Sequence, residues 1–235
     1  MPSVLVEDLA AFLEAAERHP RSLVVLRAEA PPSSAELRRY CLALGGIRQF
    51  EHSGEVRTVK YDPSIQDSTA MSLNALPLHT DGSFLERPPA RFALSFSAKD
   101  PDGGGVSTFM PITRILAAAP DWALEALLTA DYLFARTYDG DLADSYVGPV
   151  LYRNDSALRI RWRSDDIWRP KAVEPRGTNA EGAADWLHDF LCNSQPLAYA
   201  AEPGETLLVP NTVMLHGRTS LSRDSSREIL RAWVA

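Results

Sequence analysis

The feature that most constrains this chain is a succession of short apolar runs, each of strand length and set off by turn signals. Phe92-Ala93-Leu94-Ser95-Phe96 alternates, which puts Phe92, Leu94 and Phe96 on one face. Val56 to Tyr61 alternates more weakly. Val150-Leu151-Tyr152 and the run Leu158 to Trp162 flank Asn154-Asp155-Ser156, as in a hairpin. Pro203-Gly204-Glu205 turns the chain into Thr206 to Val209, and Ile229 to Val234 forms a further strand. Many short strands with turns between them predict a sandwich or barrel.

Helices are expected on the outside of that scaffold. Leu9, Phe12, Leu13 and Ala16 fall at helical spacing, which predicts a helix over Val6 to Arg18. A short buried strand over Ser22 to Leu26 follows. Ser33 and Glu36 form a capping box for a second helix, ended by Gly45-Gly46. Further helices are expected over Asp121 to Leu128, with Leu124, Leu127 and Leu128 inward, and over Ala180 to Leu191. The stretches 140–148 and 169–179 read as loops. With 235 residues, 45% hydrophobic and 23% charged, the chain is expected to form one domain over 1–235.

The formal net charge of -7, with Lys and Arg scattered, argues against nucleic acid as a partner. A small-molecule substrate fits better, and a local arginine pair can reverse the sign inside a cleft. Homo-oligomerisation is left open. Cys41 and Cys192 form no Cys-x-x-Cys pair, so neither a disulfide framework nor a thiolate zinc site is indicated. No run approaches the roughly 20 apolar residues of a membrane span. The first residues lack a basic segment followed by an apolar one, so a cytoplasmic location is expected.

Chemistry enters with the histidines, of which there are 5. His19 ends a helix, His188 sits mid-helix and His52 lies in a polar stretch; surface roles account for all three. His79 lies in Leu78-His79-Thr80-Asp81-Gly82, where extended backbone points His79 and Asp81 to the same side. A lone His-x-Asp is a weak signal. His216 follows an apolar run and opens His216-Gly217-Arg218-Thr219. Two histidines plus one carboxylate, with other positions open, is the facial triad of non-haem iron(II) oxygenases. Arg227 and Arg231 then fall in or beside an apolar strand, where a guanidinium is costly without an anionic partner.

Four pieces in this order and spacing resemble one family. His79-Thr80-Asp81, Gly103-Gly104-Gly105-Val106-Ser107-Thr108, His216-Gly217-Arg218 and Arg227-Glu228-Ile229-Leu230-Arg231 look like the TauD/clavaminate-synthase-like iron(II)/2-oxoglutarate dioxygenases. Leu44-Gly45-Gly46 in the opening helix-strand-helix adds to the likeness. The resemblance implies a mostly β fold with flanking helices and a double-stranded β-helix (jelly-roll) core. It implies that His79, Asp81 and His216 bind Fe(II), and that Arg227, with Ser107 or Thr108, binds the far carboxylate of 2-oxoglutarate. Arg231 would lie near the substrate or the inner carboxylate, and Asn74 would contact substrate. O2 and 2-oxoglutarate would be consumed to oxidise, by default to hydroxylate, a C–H bond of a small polar metabolite such as an amino acid or natural-product intermediate.

There are departures from the family pattern. Val209-Pro210-Asn211 stands where many relatives have an Asp-Asn pair, and only four residues follow Arg231, so a smaller lid is expected. Asp81 argues against a halogenase, which would need a small residue there. Arg57, Lys60, Arg91, Arg153, Arg159, Arg161, Tyr138, Tyr146, Trp162 and Trp168 are candidates to reach a substrate cleft, with packing or surface roles the default for each. Two other classes remain at this stage: a metal-dependent isomerase or hydrolase on the same fold, and a non-enzymatic metabolite sensor.

Overall fold

The chain was analysed as a computed structural model, which describes residues 3–49, 54–64, 69–138, 141–154, 157–164, 169–173 and 179–235. The first third runs β1 (Ser3–Val6), α1 (Leu9–Arg18), β2 (Leu23–Arg27), α2 (Ser34–Ala43), β3 (Ile47–Arg48), β4 (Val56–Lys60) and β5 (Leu76–His79). Then come β6 (Arg91–Ala98), β7 (Ser107–Pro111), α3 (Ile112–Ala118), α4 (Asp121–Thr129), β8 (Tyr132–Tyr138), β9 (Asp141–Gly148), β10 (Leu151–Asn154) and β11 (Ala157–Ile160). The last third holds β12 (Lys171–Ala172), α5 (Ala180–Asn193), β13 (Leu197–Tyr199), β14 (Glu205–Val209), β15 (Met214–Arg218) and β16 (Glu228–Val234).

Period-two alternation sorts these strands into two facing sheets. One has the order β1-β2-β14-β6-β16-β3, with β4 also paired to β16; the other has the order β13-β7-β15-β5. Leu23 and Val25 of β2, Phe92, Leu94 and Phe96 of β6, and Ile229 and Trp233 of β16 point inward to meet Phe109 of β7 and Met214 of β15. The alternate residues Val24, Ala93, Leu208, Leu230 and Ala232 point outward and are covered by Phe12 of α1 and Leu37 of α2. A third cluster packs Ala126 and Leu127 of α4 and Leu187 of α5 against Met110 and Leu215 on the outer face of the smaller sheet. This is the jelly-roll core with flanking helices that the family resemblance implies.

Local signals act where they were read. Ser33 and Glu36 exchange both capping-box hydrogen bonds at the start of α2. The first helix is shorter than expected: Asp8 caps it, and Val6 belongs to β1, which pairs in parallel with β2. On α4 the fully buried positions are Ala123, Ala126 and Leu127, while Leu124 and Leu128 pack at the rim of that cluster.

Two stretches read as loops contain strands. β9 falls in 140–148 and pairs along β8, with Leu133 opposite Val147. Its outer face stays in solvent, with Val147 48% exposed, so no apolar alternation marks it. In 169–179 the two-residue β12 pairs with Tyr132 and Leu133, while 174–178 lie outside the described residues. Residues 155 and 156 of the expected hairpin turn also lie outside, although β10 and β11 pair as expected. Among the described residues no helix is long and apolar enough to cross a membrane.

Candidate metal centre

The centre forms where the two sheets meet. His79 ends β5 and His216 lies in β15, and the two residues are direct cross-strand partners. Their rings sit 4.2 Å apart, and the His216 ring also lies 4.2 Å from that of Phe92. Asp81 follows two residues after His79, and its Oδ1 lies 3.5 Å from His79 Nε2 and 3.4 Å from His216 Nε2. One ligand atom from each of the three residues lies within 4.8 Å of the others, and all three side chains are buried.

The donor set fits a divalent metal. The carbonyl of Pro77 can only accept, so His79 Nδ1, 2.9 Å away, donates to it, and Nε2 is the nitrogen turned to the centre. Burial and the neighbouring His79 push His216 down to about 4, against the pull of Asp81, so its ring is neutral near pH 7. Asp81 is held well below the usual carboxylate range: burial opposes this, but Arg231 and His216 outweigh it. Two imidazoles and one ionised carboxylate thus converge in a dry site, and they can hold the metal.

Asp81 is fixed at both ends. Asn211 accepts the Asp81 backbone N–H through Oδ1 at 2.7 Å and donates through Nδ2 to the carbonyls of Asp81 and Pro89 at 3.0 and 2.8 Å. Gly82 then turns the chain at φ 62°, and a Cβ there would lie 2.9 Å from Pro89 Cδ. Arg161 closes the loop, donating to the carbonyls of Ser83, Leu85 and Glu86 while its guanidinium lies 3.7 Å from the Tyr146 ring centroid. At the carboxylate, Oδ2 accepts from Trp233 Nε1 at 2.9 Å and pairs with Arg231 Nη2.

Beside the three side chains opens a cleft lined by His79, His216, Ser107, Arg227 and Arg231, with Val59, Leu94 and Ile229 as apolar walls. Arg227 is 6% exposed, and among the described residues it has no ion-pair partner. Burial and Arg218 lower its affinity for its proton to about pKa 10, with Asp100 opposing, so it remains charged. Gly105, at φ 68°, lets the backbone pass this side chain; a Cβ there would lie 2.5 Å from Arg227 Cδ. A buried cation without a counter-ion is what a bound carboxylate would satisfy.

The structure distributes the remaining candidates as follows. Ser107 faces the cleft, whereas Thr108, next along β7, sets its hydroxyl against Gly217 and is absent from the lining. Arg231 lies on Asp81, on the inward face of a strand paired with β3, β4 and β6, so it does not point outward from an edge. Asn74 is exposed, and its carbonyl accepts from Arg218 Nη1 at 2.7 Å. Arg218 also donates to the carbonyl of Ser72, which ties the 69–74 segment to the cleft. Arg57 contacts Met71, Lys60 pairs with Glu228, and Arg91 donates to the Leu44 carbonyl. Trp162 is core, and Arg153 and Arg159 line a separate surface groove. Trp168, His52 and the side chain of Tyr138 lie outside the described residues. His19 is exposed, and His188 bonds to Ser164, away from the centre.

A jelly roll with two imidazoles, a carboxylate and an adjoining cleft that ends in a buried guanidinium defines an iron(II)/2-oxoglutarate-dependent oxygenase. The chain belongs to the taurine catabolism dioxygenase TauD, TfdA family, whose model matches residues 3–233. The 3-((Z)-2-isocyanoethenyl)-1H-indole synthase of Fischerella ambigua is 24% identical over 225 residues, covering 90% of this chain and 81% of its own. The tyrosine isonitrile desaturase of Erwinia amylovora is 25% identical over 226 residues, covering 90% and 76%. The solved asparagine oxygenase in complex with Fe(II), 2S,3S-3-hydroxyasparagine and succinate superposes with a TM-score of 0.72 at 23% identity, over 97% of this chain and 77% of that one. Family membership sets aside the isomerase, hydrolase and sensor readings.

Proposed function

We propose that residues 1–235 act as one oxygenase domain in which His79, Asp81 and His216 hold Fe(II), Arg227 and Ser107 grip the far carboxylate of 2-oxoglutarate, and the substrate is an amino acid or a small molecule derived from one. The orphan charge of Arg227 at the end of the cleft carries the co-substrate assignment. The substrate class rests on the relatives, which act on asparagine and on a tyrosine-derived isonitrile. Hydroxylation and desaturation both begin at a substrate C–H bond, so both belong to the reading.

Bound in this site, iron supplies the redox chemistry that couples O2 and the decarboxylation of 2-oxoglutarate to succinate and CO2 with oxidation of the substrate. The chain supplies position and charge. Arg227 fixes the dicarboxylate from its far end, and Ser107 Oγ donates to the same group. Apolar walls at Val59, Leu94 and Ile229 keep the methylenes dry. Arg231 stands between Asp81 and the cleft, where it can also meet an incoming carboxylate.

Fe(II) and 2-oxoglutarate added without oxygen should give the visible charge-transfer band of the chelate. The band should vanish in Asp81→Ala, and Arg227→Ala should raise the 2-oxoglutarate concentration needed by about 10-fold or more, for one charge-assisted pair. If iron binds but no band forms, the co-substrate assignment is wrong. A screen of amino acids by succinate release then identifies the substrate.

A further inference from the structure

We propose that Trp233 is a positioning residue that holds Asp81 in single-oxygen coordination; this rests on the iron reading above. Strand parity places Ile229, Arg231 and Trp233 on the inward face of β16. The apolar pattern of that strand marks Trp233 as core, and it is 3% exposed. Its indole edge is nevertheless polar and finds a single carboxylate oxygen: Nε1 donates to Asp81 Oδ2 at 2.9 Å. The other oxygen, Oδ1, faces His79 and His216.

A carboxylate can bind a metal through one oxygen or two. Here the two oxygens are unequal, because Oδ2 already accepts from Trp233 and pairs with Arg231. Turning Oδ2 toward a metal would break this buried hydrogen bond, which is costly. Arg231 alone does not secure this, since its long side chain can follow a substrate carboxylate. The indole is rigid, and it is held opposite Phe92 in the strand register. Trp233 would therefore keep Oδ2 off a bound metal and leave room on it for co-substrate and O2.

Co(II) is a suitable probe, because its visible ligand-field band changes intensity with coordination number and needs no turnover. Trp233→Phe keeps an aromatic ring but loses the donor and part of the buried volume; Trp233→Leu loses the ring as well. For Trp233→Phe, Co(II) affinity should fall about 10-fold or more, in line with other partners that orient metal ligands. Its Co(II) band should change intensity relative to the parent, while its metal-free melting temperature should fall less than that of Trp233→Leu. Parent-like affinity and band in Trp233→Phe would reduce Trp233 to packing and overturn the inference. A parent protein that binds no Co(II) would overturn the iron reading itself, and the inference with it. A measurement on otherwise unaltered side chains covers the case in which Trp233→Phe does not fold. In 15N-tryptophan-labelled protein, one of the 5 indole resonances should be protected from exchange and should move in Asp81→Ala. If none does, the hydrogen bond is not formed and the inference fails.

Discussion

At the residue scale, Asn211 shows how much one amide can organise. Fully buried, it satisfies one N–H and two carbonyls around the metal-ligand loop. Asn211→Ala leaves those groups orphaned, and at roughly 1–3 kcal/mol for each unpaired buried group, a loss of about 3 kcal/mol is expected after relaxation. Urea unfolding would measure it, and a loss below about 1 kcal/mol would mean that water or a neighbour replaces the amide. The same residue marks a limit of reading by sequence. His79, Asp81 and His216 were legible because two short motifs and a distant arginine pair agree on one chemistry. Asn211 was visible only as a departure, since its role depends on the meeting of loops far apart in sequence. Trp233 was hidden by its own apolarity: in a strand of Ile, Leu and Val, an indole reads as packing, and nothing nearby announces a carboxylate behind it.

At the scale of elements, the link between the glycine-rich turn and the segment before β16 brings Ser107 and Arg227 together. Asp100 makes that link. It accepts from the backbone of Asp102, Gly104 and Ser222, and Gly105 donates across to Ser220. Burial alone would raise the Asp100 carboxyl, but hydrogen bonds from Ser225 and Ser222 outweigh it and bring it down to about 2, from an ordinary 3.8. A depressed carboxylate contributes stability that is fully present above its unfolded pKa and is lost as pH falls through the folded one. The Asp100 contribution should therefore be complete above about pH 4 and fade toward pH 2. Asp100→Asn should lower the urea midpoint at neutral pH and flatten its decline over that window; an unchanged slope would mean that the turn is held by other bonds. Elements with strong periodicity or caps were legible in the sequence: β6, β14, β16, α2 and α5 all lie where the pattern put them. β9 and β12 were not, because their pairing to β8 is set by backbone hydrogen bonds on a face that water covers, and such a face leaves no apolar signature.

At the scale of the whole molecule, the site spans both sheets, so anything that binds it ties the two together. A ligand that binds only the folded chain stabilises it by about 2.7 kcal/mol at 100 times its Kd. For a chain of 235 residues, each kcal/mol is worth about 2–4 °C. Fe(II) and 2-oxoglutarate without oxygen should raise the melting temperature by about 5–10 °C, a gain that scanning fluorimetry would detect. Metal without 2-oxoglutarate should give part of the shift. An absent shift at high ligand concentration would show that the folded chain does not bind them.

The last feature to follow outward is the place of β16 in its sheet. It comes last in sequence among the described strands, yet it lies between β6 and both β3 and β4, and it carries two of the groups that hold Asp81. Synthesis runs from the N-terminus, so His79 and Asp81 leave the ribosome long before His216, Arg231 and Trp233. Until β14 and β16 follow, both edges of β6 lack these partners, and closure waits on pairings remote in sequence, which form slowly. The pocket is thus complete only after His216, Arg231 and Trp233 have joined His79 and Asp81. Metal capture should report on a nascent chain the way a latch reports on a door: it engages only once the barrel has shut.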